Sequence, residues 1–138
     1  LKYAQKMNVA STGHGYRTSM WGGDSTTMKP SPALNHLTVK AGNKSLAELI
    51  ASIDRGIILE GVMGAHSGNI PNGDYSVGVS PALYVENGEI VGLLQDAMVA
   101  GNVYDTLNNV VALENKLHDS WGGNIPAILC DDVSVSTK

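Results

Sequence analysis

The dipeptide Asn87–Gly88 lies between two apolar runs, ALYV (82–85) and IVGLL (90–94). A two-residue connection between antiparallel strands has to match their right-handed twist. Turns that do so need positive φ at both central positions, and Asn-Gly supplies this best. A tight hairpin is therefore expected at this point, and the neighbouring segments must build on an antiparallel sheet. IILEGVM (57–63) reads as a buried strand, DAMVAG (96–101) as another, ALNHLTVKAG (33–42) as a strand by alternation, and AILCDDVSVS (127–136) as a closing strand.

Two helices interrupt the strands. In NKSLAELIASIDRGI (43–57), Ser45 followed by Glu48 is a capping box. Leu46, Leu49, Ile50 and Ile53 make an apolar stripe, and Gly56 suits the C-terminal cap. NVYDTLNNVVAL (102–113) reads as a second helix capped by Asn102, with Val103, Leu107, Val110 and Val111 inward. HDSWGGNIP (118–126) reads as a loop, as does the Gly/Ser/Thr/Pro-rich stretch 8–32. The fold class this order predicts is α+β, mainly antiparallel β-sheet with two interposed helices.

At 138 residues the chain suits a single domain, 1–138. The opening LKYAQKM has the spacing of a helix end (Leu1, Ala4, Met7), which suggests a domain excised from a longer protein. Nine scattered Lys and Arg with a net charge of −4 lack the basic face that nucleic acid requires. No apolar run is long enough to span a bilayer, and no signal peptide is visible. A lone cysteine excludes an internal disulfide and fits a reducing, cytoplasmic setting.

The chemistry-bearing residues concentrate in GVMGAHSGNIPNGDYS (61–76). No Gly-Lys-Ser/Thr follows its glycines, so it is not a phosphate-binding P-loop. Its spacing is not that of a dinucleotide fingerprint. The four histidines, at 14, 36, 66 and 118, are not paired at zinc-ligand spacing, and no GxSxG elbow occurs. Cys130, in an apolar strand, reads as a small inert hydrophobe. Trp21 and Trp121, flanked by glycine, read as rim aromatics or as partly buried against their own domain. Two readings of 61–76 stay open. It is a wide connection between strands, or a loop offering backbone groups to an extended peptide.

Five blocks in fixed order carry a more specific signal: STGHG (11–15), IDRGIILEGVMG (53–64), SGNIPNGDYSVGVSPALYVENGEI (67–90), VAGNVYDTLNNVVAL (99–113) and IPAILCDDVSVS (125–136). Together they resemble the C-terminal part of the TldD/PmbA family, over essentially the whole chain. Members of this family are called peptide-maturation proteins or modulators of DNA gyrase.

The resemblance implies a cytosolic zinc metallopeptidase system acting on unfolded or extended peptides. In it a TldD-like catalytic subunit carries an HExxxH helix and a cysteine ligand, and pairs with a non-catalytic PmbA-like member in a hollow heterodimer. The family's cysteine would fall within ENKLHDSWGGNI (114–125), which has His118 but no cysteine. STGHG and GDYS look PmbA-like. The resemblance thus implies a chain with no catalytic or metal ligands of its own, and zinc only in a TldD-like partner. The partner expected is that catalytic subunit in a heterodimer, or a second copy in a homodimer. His14, Gly64, His66, Ser67, Asp74 and Tyr75 are the expected channel or interface residues. The alternatives are a domain of an active homodimeric zinc metallopeptidase, or a stand-alone peptide-binding module.

Overall fold

The computed structural model describes residues 15–16, 31–32, 36–65, 71–120 and 123–137. The chain falls into two compact units, one of residues 1–38 and 121–123, the other of residues 39–120 and 124–138. In the first, β1 (Gly15–Tyr16) pairs antiparallel with β2 (Ser31–Pro32), and β3 (Leu37–Thr38) follows. The helical reading of LKYAQKM, the STGHG block up to His14, and Trp21 and Trp121 lie outside the described residues.

The second unit is built on long antiparallel strands. After helix α1 (Leu46–Ala51) come β4 (Arg55–Leu59), β5 (Val62–Met63), β6 (Asp74–Val79), β7 (Ala82–Glu86), β8 (Glu89–Leu94) and β9 (Ala97–Asn102). Helix α2 (Val103–Asn108), β10 (Val110–Leu113), β11 (His118–Ser120), β12 (Gly123–Ile125, of which 124–125 belong to this unit), β13 (Ile128–Cys130) and β14 (Ser134–Thr137) complete it. The fold is α+β, as its sequence predicts.

Two ladders share one path. β4 pairs with β7 from Arg55↔Glu86 to Leu59↔Ala82, and β5 pairs with β6 from Val62↔Val79 to Met63↔Gly78. Between them Glu60 N–H donates to Pro81 O and Ser80 N–H to Gly61 O. β4–β5 and β6–β7 are thus two long strands bent at one corner. Gly61 sits in that corner because a side chain there would run into the Ser80 carbonyl. On the other flank β8 pairs with β7 and β9 with β6, and β14 adds outside β9. β8 and β9 are joined through Asp96, at φ 52°. Val77, Val79, Ala82, Ala97 and Val99 are buried together, with Ile57, Tyr75, Leu94 and Val133 packed on them.

The hairpin forms where Asn87–Gly88 places it, with Asn87 at φ 50° and Gly88 at φ 79°. Its turn also has a tertiary task. Asn87 N–H donates to Asp54 O at 2.7 Å and Gly88 N–H to Ile53 O at 2.8 Å, which satisfies carbonyls just beyond α1. A Cβ on Gly88 would lie 2.9 Å from Ala51 O.

The Ser45–Glu48 capping box is present: Ser45 N–H donates to Glu48 Oε2 at 2.7 Å and Glu48 N–H to Ser45 Oγ at 3.3 Å. Helix α1 nevertheless ends at Ser52, whose hydroxyl donates back to Leu49 O at 2.7 Å. Gly56 is not a cap but a β4 residue opposite Val85, because pairing with β7 captures the chain first.

Four further expectations are corrected. The second helix stops at Asn108, and Val110 and Val111 belong to β10, which pairs with β13. Val103 and Leu107 are exposed. The expected closing strand is two, β13 and β14, broken at Asp131–Asp132, where Asp132 takes φ 58°. HDSWGGNIP is not only loop, since β11 and β12 both lie within it. In IILEGVM, Leu59, Val62 and Met63 are exposed rather than buried.

Candidate functional site

The sharp turn Pro71–Asn72–Gly73 leads into β6, and Gly73, buried at φ 80°, lies beneath the Tyr104 ring. Its carbonyl accepts the Val103 N–H at 2.8 Å, tying the turn to the start of α2. Asn102, the last residue of β9 and the N-cap of α2, uses both ends of its amide. Its Oδ1 accepts the Tyr104 N–H at 3.0 Å. Its Nδ2 donates to Asn72 O at 2.8 Å and to Asp74 Oδ1 at 2.9 Å. Those contacts fix which end is nitrogen, because two acceptors face it.

A hydroxyl relay continues the cluster. Thr106 Oγ1 donates to Asn102 O at 3.0 Å and lies 2.8 Å from Tyr75 OH. Tyr75 lies opposite Gly101 in the ladder, and a Cβ there would be 2.8 Å from the Tyr75 oxygen. GDYS and AGN, far apart in sequence, thus form one clasp in space. The clasp holds the exit of the 61–76 stretch on rigid elements. At its entrance Gly64 is at φ 83°, and among the described residues nothing lies within 4 Å of where its Cβ would be.

Of the expected site residues, Asp74 and Tyr75 are in the clasp and Gly64 is at the entrance, while His14, His66 and Ser67 lie outside the described residues. Sequence reasoning found Asn102 as a helix cap but missed its second role, and it missed Asn72 and Thr106. The signal available was the coincidence of an N-cap Asn with a Pro-Asn-Gly-Asp turn, but nothing local links them.

A second polar node centres on Glu114, which is 4% exposed. Its backbone N–H donates to Ala127 O at 2.9 Å and its carbonyl accepts the Gly42 N–H at 2.7 Å. Its Oε2 takes the Ala127 N–H at 3.3 Å and His118 Nε2 at 2.6 Å. A carboxylate only accepts, so Nε2 carries the proton. The His118 hydrogen bond, helped by the Ala127 N–H and the Lys116 charge, holds the Glu114 carboxyl below its usual range despite burial. A carboxylate with a lowered folded-state pKa stabilises above its unfolded-state value and loses that contribution as pH falls through the folded one. The melting temperature is therefore expected to drop on acidification below about pH 4.3, the ordinary glutamate value. In Glu114→Gln that acid limb should be shallower, as thermal scans across pH would read.

Among the described residues no three His, Cys, Asp or Glu come together as a metal site. One carboxylate-held imidazole does not make one. Cys130 is half-buried, and burial, with the Asp131 charge added, raises its thiol pKa. This agrees with an inert role.

Residues 1–137 match the family described as the PmbA/TldA metallopeptidase C-terminal domain. The chain is 30% identical over 132 residues to the metalloprotease PmbA homolog of Haemophilus influenzae, covering 96% of this chain and 26% of that one. It is 28% identical over 119 residues to a metalloprotease of Methanocaldococcus jannaschii, covering 86% and 25%. Among solved structures it is similar to TldE from Thermococcus kodakarensis, at TM-score 0.78 and 28% identity, over 97% of this chain and 29% of that one. It is also similar to a candidate modulator of a DNA gyrase from Thermotoga maritima, at TM-score 0.74 and 31% identity, over 99% and 29%. The chain spans about a quarter of the length of these relatives.

Proposed function

The chain belongs to the TldD/PmbA metallopeptidase family, whose C-terminal domain it matches over residues 1–137, and on that premise we propose that it serves in the non-catalytic, PmbA-like subunit of a cytoplasmic peptide-maturation protease. In this reading it shapes the channel for extended peptides, and a TldD-like partner supplies the zinc, which polarises the scissile carbonyl and lowers the pKa of its bound water. The observation that carries the reading is the clasp of Asn102 on Asn72 and Asp74. It anchors the described end of the Gly- and Ser-rich stretch 61–76, as a segment that presents backbone groups to an unfolded chain requires. The likeness to TldE supports the reading in so far as TldE is another name for the family's PmbA-like member, the one the resemblance implies to be non-catalytic.

The test uses the full-length protein purified with its TldD-like partner. Asp74→Ala and His66→Ala should each lower the rate of peptide trimming by about tenfold, roughly 1.4 kcal/mol, or weaken the heterodimer in size-exclusion chromatography. Unchanged assembly and trimming in both variants would sink the channel role. Melting curves run alongside separate this from simple unfolding.

One observation favours the second reading, an active homodimeric zinc enzyme. The Glu114–His118 pair is of the kind that orients metal-binding imidazoles. There His118→Ala would abolish the homodimer's peptidase activity, whereas in the heterodimer it leaves trimming intact.

A further inference from the structure

In the second unit a cavity of about 1090 Å³ is lined by residues of β4, β5, β6 and β9. All five β4 residues, Arg55 to Leu59, line it. Alternate residues of a strand point to opposite faces, so a cavity touched by every one of them runs along the strand's edge. Among the described residues, β4 has a strand neighbour, β7, on one side only. The consecutive run Ala127 to Val133 also lines the cavity, as do the buried Val77 and Val99.

Among the described residues seven hydrophobic side chains are buried, and the largest removed fully from water is Val85. Meanwhile Leu59, Val62, Ile128 and Val135, all beside the cavity, remain 39–46% exposed. Burial of apolar area is the main stabilising contribution to a fold. A permanent occupant would keep this apolar area buried, where a ligand that comes and goes would leave it wet between visits.

We infer that the groove receives an extended segment of the same polypeptide, drawn from sequence outside residues 1–138, which adds as a strand along the free edge of β4. The relatives are roughly four times as long as this chain, since it covers 25–29% of them. A covalent tether gives such a segment a high effective concentration. Backbone pairing at the edge supplies affinity, and alternate aliphatic side chains fill the space below. The lining carries four aspartates, Asp54, Asp74, Asp131 and Asp132, against Lys44 and Arg55. The segment is therefore an aliphatic run flanked by Lys or Arg, and this acidic rim disfavours a second copy of itself. The inference rests on the chain being a domain of a longer family member, not on the channel role.

The experiment places the photo-crosslinker p-benzoylphenylalanine at Leu59, and separately at Val135, in the protein expressed from its complete reading frame. After irradiation, mass spectrometry of the monomer band is expected to show an intramolecular crosslink to an aliphatic, Lys/Arg-flanked segment outside residues 1–138. The same label at Val91, on the exposed far strand, should not capture that segment. Crosslinking to a second copy, crosslinking only within residues 1–138, or capture of an added synthetic poly-valine peptide in preference to the protein's own chain would each overturn the inference. Peptide trimming is not measured, so failure of the channel role leaves this result unaffected.

Discussion

Gly42→Ala should destabilise the protein by about 3 kcal/mol, the upper range for forcing added volume into a packed contact. The segment before α1 crosses the end of β10 backbone to backbone. Lys44 forms a parallel bridge with Glu114, Asn115 N–H donates to Lys44 O at 2.7 Å, and Gly42 N–H donates to Glu114 O at 2.7 Å. A Cβ on Gly42 would penetrate the Leu113 carbonyl oxygen and stand 2.7 Å from its carbon. These are backbone atoms held by the ladder to β13, so they cannot swing aside as a flexible side chain could. Relief would require breaking the crossing that also presents Glu114 to His118. Gly92→Ala is the control. Among the described residues nothing lies within 4 Å of its Cβ position, on strand β8. Alanine loses less conformational freedom on folding there, so the change should be neutral or slightly stabilising. Thermal or urea melts of the two variants against the parent read the contrast directly.

The features legible in the sequence are those decided within a few residues. Asn87–Gly88 sets both left-handed dihedrals locally, and the Ser45–Glu48 box closes over a single turn. Where pairing partners decide, sequence reasoning misassigned. Val110 and Val111 fit a helical stripe as well as a strand, and β13 settles the matter from far along the chain. AILCDDVSVS alternates well enough for one strand, yet Asp132 adopts a left-handed conformation that aspartate tolerates, and the chain changes ladder there. Gly56 illustrates the same competition, a cap by its place in the sequence but a strand residue by its partner Val85.

The site divides along the same line. Asp74 and Tyr75 were recognisable because they fall in a block shared with the family. Their function in the clasp was not, since it depends on residues 28 and 31 positions away. Glu114 has no distinguishing neighbour in sequence except His118, four residues on, and those two face each other only because β10 ends where the chain turns toward β11.

Asn102→Ala should cost about 2–4 kcal/mol, the sum of a lost N-cap of ~1 kcal/mol and two lost hydrogen bonds of ~0.5–1.5 kcal/mol each. The more informative substitution is Asn102→Asp. Its carboxylate still accepts the Tyr104 N–H and is favoured at a helix N-terminus, so the cap survives. The opposite end of the amide does not. A carboxylate oxygen would face Asp74 Oδ1, which now sits 2.9 Å from the Asn102 nitrogen, and Asn72 O would lose its donor. Like charges at that distance repel, so the turn should loosen while α2 stays capped. Adding Asp74→Asn to Asn102→Asp removes one charge and restores a donor facing an acceptor with the roles exchanged. The double variant should therefore recover most of the Asp74–Asn102 coupling in a double-mutant cycle. It should still fall short of the parent, because Asn72 O remains unpaired. Simple additivity of the two single changes would show that the Asp74–Asn102 bond contributes nothing to the clasp. Hydrogen exchange at the Val103 amide, which donates to Gly73 O, reports on the same turn independently of global melting.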